Sequence, residues 1–593
     1  MNSDTPSSLV AMFFAQAAAK ADEPFLWSKH DGAYRPQSWR AVAQEVSALS
    51  RGLRAAGVRA GDRVVLVSEN RPKWAVADLA IMAAGAVTVP AYVTNTVDDH
   101  RYVLADSGAS AAIVSTRDLA ARLLPAAAQT PGVRFVVAME PPGADAQGVA
   151  VKDWGDVVAQ GRGQADDVAG LVAGIGRRDL ACLIYTSGTG GRPKGVMLSH
   201  AAILCNLRGA HSLLAELDLA DEVFLSFLPL SHSYEHTGGL YFPIYLGAQI
   251  YYAESTDKLT TNLLEVRPTI MICVPRLYEV MRQRILAGVR RAGGLKERLF
   301  ATALELGRRK YERPGSLGLG DRIVDRIVDR LVRDKVRGRF GGRLKALVSG
   351  GAPLNYDVGL FFLALGLPVL QGYGQTEAAP VIAANRASTN KIDTVGPPLD
   401  GVEVDIAEDG EILVRGELLM DGYWNDPEAT AEALVDGWLH TGDIGEIDAE
   451  GCLRITDRKK DIIVNSGGDN LSPQRVEGTL ALEPEIAQAM VYGDRRPHLV
   501  ALLVPDEGFV RSYAAAAGAA ADLAALCGDD DFRRELAAAV ERANAGLSVI
   551  EKVKRFAIAP APFTIDGGEL TPTMKIRRHA ILARYRDTLE GLY

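Results

Sequence analysis

The chain has 593 residues, 48% of them apolar and 23% charged, which is the balance of a folded protein too long for one hydrophobic core. Its net charge of −9 argues against general nucleic-acid binding. The five cysteines, Cys182, Cys205, Cys273, Cys452 and Cys527, form no C-x-x-C pair, so neither a zinc site nor a disulfide framework is expected, and a reducing, cytoplasmic setting fits.

In chain order, the apolar run at 9–19 lacks a preceding Lys or Arg and follows Asp4, so it reads as an amphipathic first helix and not as a signal peptide. Short apolar runs at 63–68, 86–93, 111–115 and 134–138 read as buried strands, with a helix at 74–84 among them. Runs at 181–185 and 345–349 repeat the strand signal, and each leads into a Gly-rich turn, where α/β folds place ligands. The expected fold class is therefore α/β, with largely parallel sheets. No apolar stretch is long enough to predict a membrane span.

Residues 282–345 depart from this pattern. Nineteen Lys/Arg against seven Asp/Glu give the segment +12, leaving −21 for the rest. Inside it, DRIVDRIVDRLV at 321–332 places Ile323, Val324, Ile327, Val328, Leu331 and Val332 on one helical stripe, with Arg322–Asp325 and Arg326–Asp329 expected as ion pairs. Two readings follow: a surface helix packed on the core, or a basic face for peripheral contact with anionic membrane lipid. After Asp443 the composition turns charged and Gly-rich, and a smaller α/β pattern with an Ala-rich helical insert at 510–544 follows. The boundary is expected at 457/458, giving domains 1–457 and 458–593.

The strongest local signal is TSGTGGRPKG at 186–195. Thr186, Ser187 and Thr189 supply hydroxyl donors, Gly188 and Gly190 allow close backbone approach, and Lys194 adds a point charge, which together suit a phosphate grip. It differs from the common NTPase loop, because Lys194 lies between Pro193 and Gly195.

YTSGTGGRPKGVMLSH at 185–200 resembles the signature of the adenylate-forming superfamily of acyl-CoA synthetases, peptide-synthetase adenylation domains and luciferases. LPLSHSYEH, SGGAPL, QGYGQTE, GEILVRG, GWLHTGD, DRKKDIIVNSGGDNLSP and ELTPTMKIRR follow in family order across nearly the whole chain. The resemblance implies a large N-terminal domain of several subdomains with βαβ-type sheets and a small, mobile α+β C-terminal domain. It also implies two steps: a carboxylate and ATP give acyl-adenylate and pyrophosphate, then the coenzyme A thiol takes the acyl group.

Residue by residue, the resemblance assigns Lys575 to the α-phosphate and carboxylate, and Glu377, with Thr186, to Mg²⁺. Asp443 and Arg458 would hold the ribose. Tyr373 would lie against adenine, with Gly351, Ala352 and Pro353 lining the same pocket and Gln371, Gly372, Gly374, Gln375 and Thr376 around it. Lys460 matches the hinge, and Ser466, Gly467 and Gly468 a wall of the coenzyme A channel. His232 falls beside the carboxylate, where a positioning role and not proton transfer is expected.

Tyr234, Glu235 and Gly239 lie in the segment expected to form the acyl pocket. Peptide-synthetase domains carry an Asp for the substrate amine early in this segment; His232 and Ser233 stand at that place here, which argues against amino-acid substrates. With the basic insertion, the pattern resembles bacterial long-chain fatty acyl-CoA synthetases. A fatty acyl-AMP ligase serving a carrier protein and an inactive lipid- or nucleotide-binding regulator are the alternatives. Oligomeric state is open, a homodimer included.

Overall fold

The computed structural model describes residues 6–143, 148–186, 192–459, 461–467, 469–565, 567–571 and 575–593. Of the expected site residues, Ser187, Gly188, Thr189, Gly190, Lys460 and Gly468 lie outside the described residues.

Two eight-stranded sheets dominate the described residues. In one, Arg63–Val67, Val87–Ala91, Ala111–Val114 and Phe135–Ala138 pair in parallel, and every residue of the last two strands is buried. Strands covered on both faces need no polar alternation, so they read in the sequence as continuous Val/Ile/Ala runs. The same sheet continues through Leu180–Thr186 into Lys194–Ser199, an antiparallel pair in which Thr186 lies opposite Lys194. The other sheet places Val223–Ser226, Ile270–Cys273, Ala346–Ser349 and Val369–Gly374 in parallel.

The largest buried cluster takes side chains from both sheets and from the helices Leu9–Lys20, Trp39–Ala55, Pro72–Ala83 and His200–Leu214. Pro72–Ala83 is apolar nearly all round and wholly buried apart from Lys73. Its one buried carboxylate, Asp78, accepts from Tyr241 Oη at 2.6 Å and pairs with His236 Nε2 at 3.0 Å, so the acid is not left without partners in the core.

A five-stranded sheet follows, in which Trp438–Ile447 pairs with Leu453–Arg458. Two further buried clusters draw only on residues from Ile463 onward, around the three strands Ile486–Tyr492, Leu499–Pro505 and Val553–Ile558. The Ala-rich insert forms the helices Glu507–Ala517 and Asp530–Asn544.

The repeat at 321–332 is helical, as Leu319–Val328 and a wider π turn, Asp329–Arg333, but its faces differ from the expectation. Val328 is buried, whereas Ile323, Val324, Ile327 and Leu331 are exposed, so the apolar stripe splits. The expected pairs Arg322–Asp325 and Arg326–Asp329 are replaced. Asp325 is held by Arg333 at 2.7 Å, Asp329 by Arg337 at 2.9 Å and Asp321 by Arg309 at 3.0 Å. Arg333 is buried and also donates to the carbonyls of Ala364 and Ala303, so it reaches Asp325 already oriented, which a flexible surface arginine would not be.

Candidate functional site

The site gathers where strands of all three N-terminal sheets end. Asp443 lies directly opposite Arg458 across an antiparallel pair. Its carboxylate accepts from Arg458 Nε at 2.8 Å on one oxygen and from Tyr373 Oη at 2.7 Å on the other. Tyr373 comes from Val369–Gly374, so this trio ties two sheets together. Burial, with the Asp443 charge beside it, holds the Tyr373 phenol far above its ordinary range, and it stays a donor. An ionised carboxylate offers about four acceptor positions, so two remain for an outside donor.

Gln371 is buried and donates to the Thr394 carbonyl at 3.3 Å, which fixes the start of this segment. Gly372 and Gly374 carry it past Ala383 and Pro380. A Cβ on Gly374 would come within 1.8 Å of the Pro380 oxygen, so only glycine allows the strand to turn here. Gln375 N–H caps that turn on Pro380 O at 2.9 Å. Gly351, Ala352 and Pro353 follow Ala346–Ser349 and present an exposed lip beside it.

Glu377 sits on the short 3₁₀ turn Thr376–Ala378 and accepts from Tyr423 Oη at 2.8 Å. Tyr423 belongs to Gly422–Tyr423, which pairs with Val196–Met197, and its ring lies 4.9 Å under the Lys194 ammonium. Lys194, Tyr423 and Glu377 thus form one chain of contacts from the start of Lys194–Ser199 to the carboxylate, with Thr186 Oγ1 at 3.5 Å from the Lys194 carbonyl. Tyr423 was missed at the sequence level. Its only signal is an aromatic pair after Gly422, and the link depends on strand pairing over long sequence distance. Among the described residues only Oε1 of Glu377 is engaged, and no cluster of three or more metal-ligating side chains occurs. One carboxylate with a free oxygen suits Mg²⁺, which keeps waters and substrate phosphates in its shell.

The acyl-side segment adjoins this turn. Ser233 Oγ and Thr376 Oγ1 are 2.9 Å apart and buried. His232 caps the turn that follows, its Nδ1 accepting from the Tyr234 N–H at 3.2 Å. Burial, aided by the charge of Lys575, pulls the His232 imidazole down to about 4, so it is neutral at pH 7. Tyr234 is buried, donates to the Val348 carbonyl at 3.0 Å and lies against Gly350, where a Cβ would meet its ring at 2.9 Å.

Glu235 points into the core: Ser226 Oγ donates to it at 2.6 Å, and burial pushes its carboxyl up to about 8. Gly239 leaves room for it, since a Cβ there would fall 2.4 Å from the Glu235 carboxyl carbon. Asn70 completes the network through Ser226 Oγ at 3.0 Å and the Leu228 carbonyl at 2.6 Å, and it accepts from Leu230 N–H at 3.1 Å. Glu235 and Asn70 therefore brace the loop that carries His232.

Lys575 reaches this site from the C-terminal unit. Its N–H donates to Thr571 Oγ1 at 3.0 Å and its carbonyl accepts from Thr571 N–H at 2.8 Å. Lys575 is exposed to solvent, yet many protein atoms crowd around its ammonium. That crowding, with the nearby Arg458 charge, lowers its ammonium to about 8 against the opposing pull of Asp443 and Glu377. His232, Glu377, Asp443 and Arg458 all lie within electrostatic reach of it.

Ser466 and Gly467 are not brought to this cluster. Their N–H groups bond to Arg496 O at 3.0 Å and Asn465 Oδ1 at 2.9 Å. Beside position 460, Lys459 is anchored to Asp409 at 2.6 Å and Glu411 at 3.0 Å.

A Mycobacterium bovis protein named long-chain-fatty-acid–CoA ligase FadD15 is 36% identical over 99% of this chain and 97% of its own. Long chain acyl-CoA synthetase 7, peroxisomal, of Arabidopsis thaliana is 33% identical over 95% of this chain and 83% of its own. The fold is that of the A-PCP didomain of a carboxylic acid reductase from Segniliparus rugosus in complex with AMP. That structure has a TM-score of 0.79 at 22% identity, covering 100% of this chain and 82% of the other. Residues 13–424 match the AMP-binding enzyme family and residues 460–593 the AMP-binding enzyme C-terminal domain, so the chain belongs to the AMP-binding, adenylate-forming enzymes.

Proposed function

We propose that this enzyme is a long-chain fatty acid–CoA ligase, acting through an acyl-adenylate. The observation that carries the reading is Lys575, from the C-terminal part of the chain, within electrostatic reach of Glu377, Asp443, Arg458 and His232. The names of the relatives in Mycobacterium and Arabidopsis support a fatty acid as the substrate class.

In the first step a carboxylate oxygen attacks the α-phosphorus of ATP and pyrophosphate leaves. Both reactants are anionic, so the barrier is mainly repulsion and positioning. Lys575 supplies the cation where the two anions meet. Asp443 uses its two remaining acceptor positions for the ribose hydroxyls, held in place by Tyr373 and Arg458. The loop at 186–195, with Thr186 and Lys194, grips the terminal phosphates. Glu377 and Thr186 would hold Mg²⁺, which would offset phosphate charge. Neutral His232 positions the carboxylate, and an ionised acid needs no general base.

In the second step the C-terminal domain, residues 458–593, turns about Lys460. Lys575 withdraws, and Ser466, Gly467 and Gly468 form a wall for coenzyme A. The thiol attacks the acyl carbon and AMP leaves. Position 282–345 would bring the enzyme to lipid, where its apolar substrate resides.

The test is a panel of acids from acetate to oleate with ATP, Mg²⁺ and coenzyme A, with thioester quantified by mass. Coenzyme-A-dependent thioester with the highest kcat/KM for long chains is expected. Adenylate that accumulates without thioester would indicate a ligase serving a carrier protein, and neither product would indicate an inactive regulator. Either result overturns the reading.

A further inference from the structure

The exposed side of the repeat helix is unlike the rest of the surface. Of thirteen exposed large apolar side chains among the described residues, five lie between Leu319 and Leu331. Leu319 is 82% exposed, Ile323 61%, Ile327 50% and Leu331 47%, at a spacing of four. In a plain α-helix a four-residue repeat drifts about 40° per step. The wider π turn at Asp329–Arg333 counters that drift, which keeps Leu331 on the outward row.

Arg322, Arg326 and Arg330 form the row directly beside it. The repeat's own acids do not neutralise them. Asp321, Asp325 and Asp329 are taken by Arg309, Arg333 and Arg337, which come from outside that row. Among the described residues Arg322, Arg326 and Arg330 carry no ion pair; the nearest tie is Arg322 Nε to the Leu317 carbonyl at 3.1 Å. With exposed Lys310 they line a groove of about 840 Å³, whose apolar side is Leu317 and Ile327 and whose acids, Asp325 and Asp329, are those already held by Arg333 and Arg337. The surrounding segment carries +12 on a protein of net −9.

We propose that this face docks on an anionic lipid bilayer, with Leu319, Ile323, Ile327 and Leu331 entering the acyl boundary and Arg322, Arg326, Arg330 and Lys310 contacting headgroup phosphates. An apolar row beside a basic row on one amphipathic helix is the arrangement an interface of that charge selects. A protein partner would need acids to match four cations, and a second copy of this net-basic face would meet like charge across a twofold axis. The inference rests on the acyl-activating reading only for its purpose, since a bilayer is where long-chain acids are dissolved.

The test is co-sedimentation of the full-length protein, without ATP, acid or coenzyme A, on phosphatidylcholine vesicles and on mixed phosphatidylcholine–phosphatidylglycerol vesicles. Failure of acyl activation therefore cannot affect it. Wild type should bind the mixed vesicles and release as salt rises. Each cation near an anionic surface raises partition about fivefold, so Arg322→Gln/Arg326→Gln/Arg330→Gln should lower it about a hundredfold. Ile323→Ser/Ile327→Ser should lower it at least about tenfold, with thermal midpoint unchanged because both side chains are exposed. Equal binding of wild type to both vesicles, or wild-type binding by both variants, would overturn the proposal. So would a dimer by light scattering that Ile323→Ser/Ile327→Ser dissociates, since a second copy would then cover the row.

Discussion

Lys575 enters the cleft as a cation whose proton is loosely held. An ammonium lowered to about 8 is mostly charged at pH 7 and loses its charge as pH rises through 8. If adenylation needs that charge, kcat/KM in pyrophosphate exchange should fall above about pH 8, since this parameter reports the free enzyme. Lys575→Arg should move the fall to higher pH, and an unmoved limb would assign the titration to another group. Lys575→Ala should cost about 10²–10³ in adenylation. It should leave thioester formation from supplied acyl-adenylate largely intact, and equal loss of both would contradict the assigned role. Tyr423→Phe removes one donor from Glu377. About a tenfold loss in kcat/KM is expected, with a shifted Mg²⁺ dependence. Unchanged Mg²⁺ dependence would separate Glu377 from the metal.

Glu235 gives a pH-dependent stability prediction of the opposite kind. Its folded carboxyl lies at about 8, above its ordinary 4.5, because burial favours the neutral form. The folded state then binds more protons than the unfolded one between those values. Its contribution is full below pH 4.5 and is lost as pH rises to about 8. Glu235→Gln keeps the shape and removes the titration. Its thermal midpoint should therefore gain on wild type steadily from pH 5 to 8, and a constant difference would place the titration elsewhere.

At the scale of elements, the strands around 63–68 and 111–115 were legible because both faces are covered and apolar runs are unbroken. The repeat at 321–332 was legible as a helix but not in its faces. A period of four on a 3.6-residue helix leaves four rows, one acidic, one basic and two apolar, and nothing local says which apolar row packs. Arg309, Arg333 and Arg337 decide it, and none of them is an i,i+3 neighbour within the repeat. The contact of Tyr423 with Glu377 was hidden for the same reason, since it depends on Gly422–Tyr423 lying along Lys194–Ser199. The hinge belongs to this scale as well. Lys459 is fixed by Asp409 and Glu411, so turning about Lys460 would pivot next to an anchored residue. Lys460→Pro fixes φ there and should impair thioester formation more than adenylation. An unaffected second step would remove the hinge from this position.

For the whole molecule, the proposed nucleotide side rests on short motifs, because glycines, hydroxyls and a carboxylate at strand ends carry their chemistry locally. The role of Lys575 was not readable in that way. Composition alone makes it a basic residue near a terminus, and only ordered family motifs placed it in the site. The fold supplies the rest, since Lys575, bonded to Thr571, comes within electrostatic reach of a cluster built from three sheets. The Asn70–Ser226–Glu235 network had no motif at all, because its members become neighbours only when Val223–Ser226 and the end of Arg63–Val67 converge. The central claim is that a carboxylate oxygen becomes bonded to the α-phosphorus before coenzyme A acts. Palmitate carrying a heavy-oxygen label in its carboxylate, incubated with ATP, Mg²⁺ and coenzyme A, tests it directly. The account predicts AMP with one labelled oxygen for each acyl-CoA formed; unlabelled AMP, or ADP in its place, would contradict it.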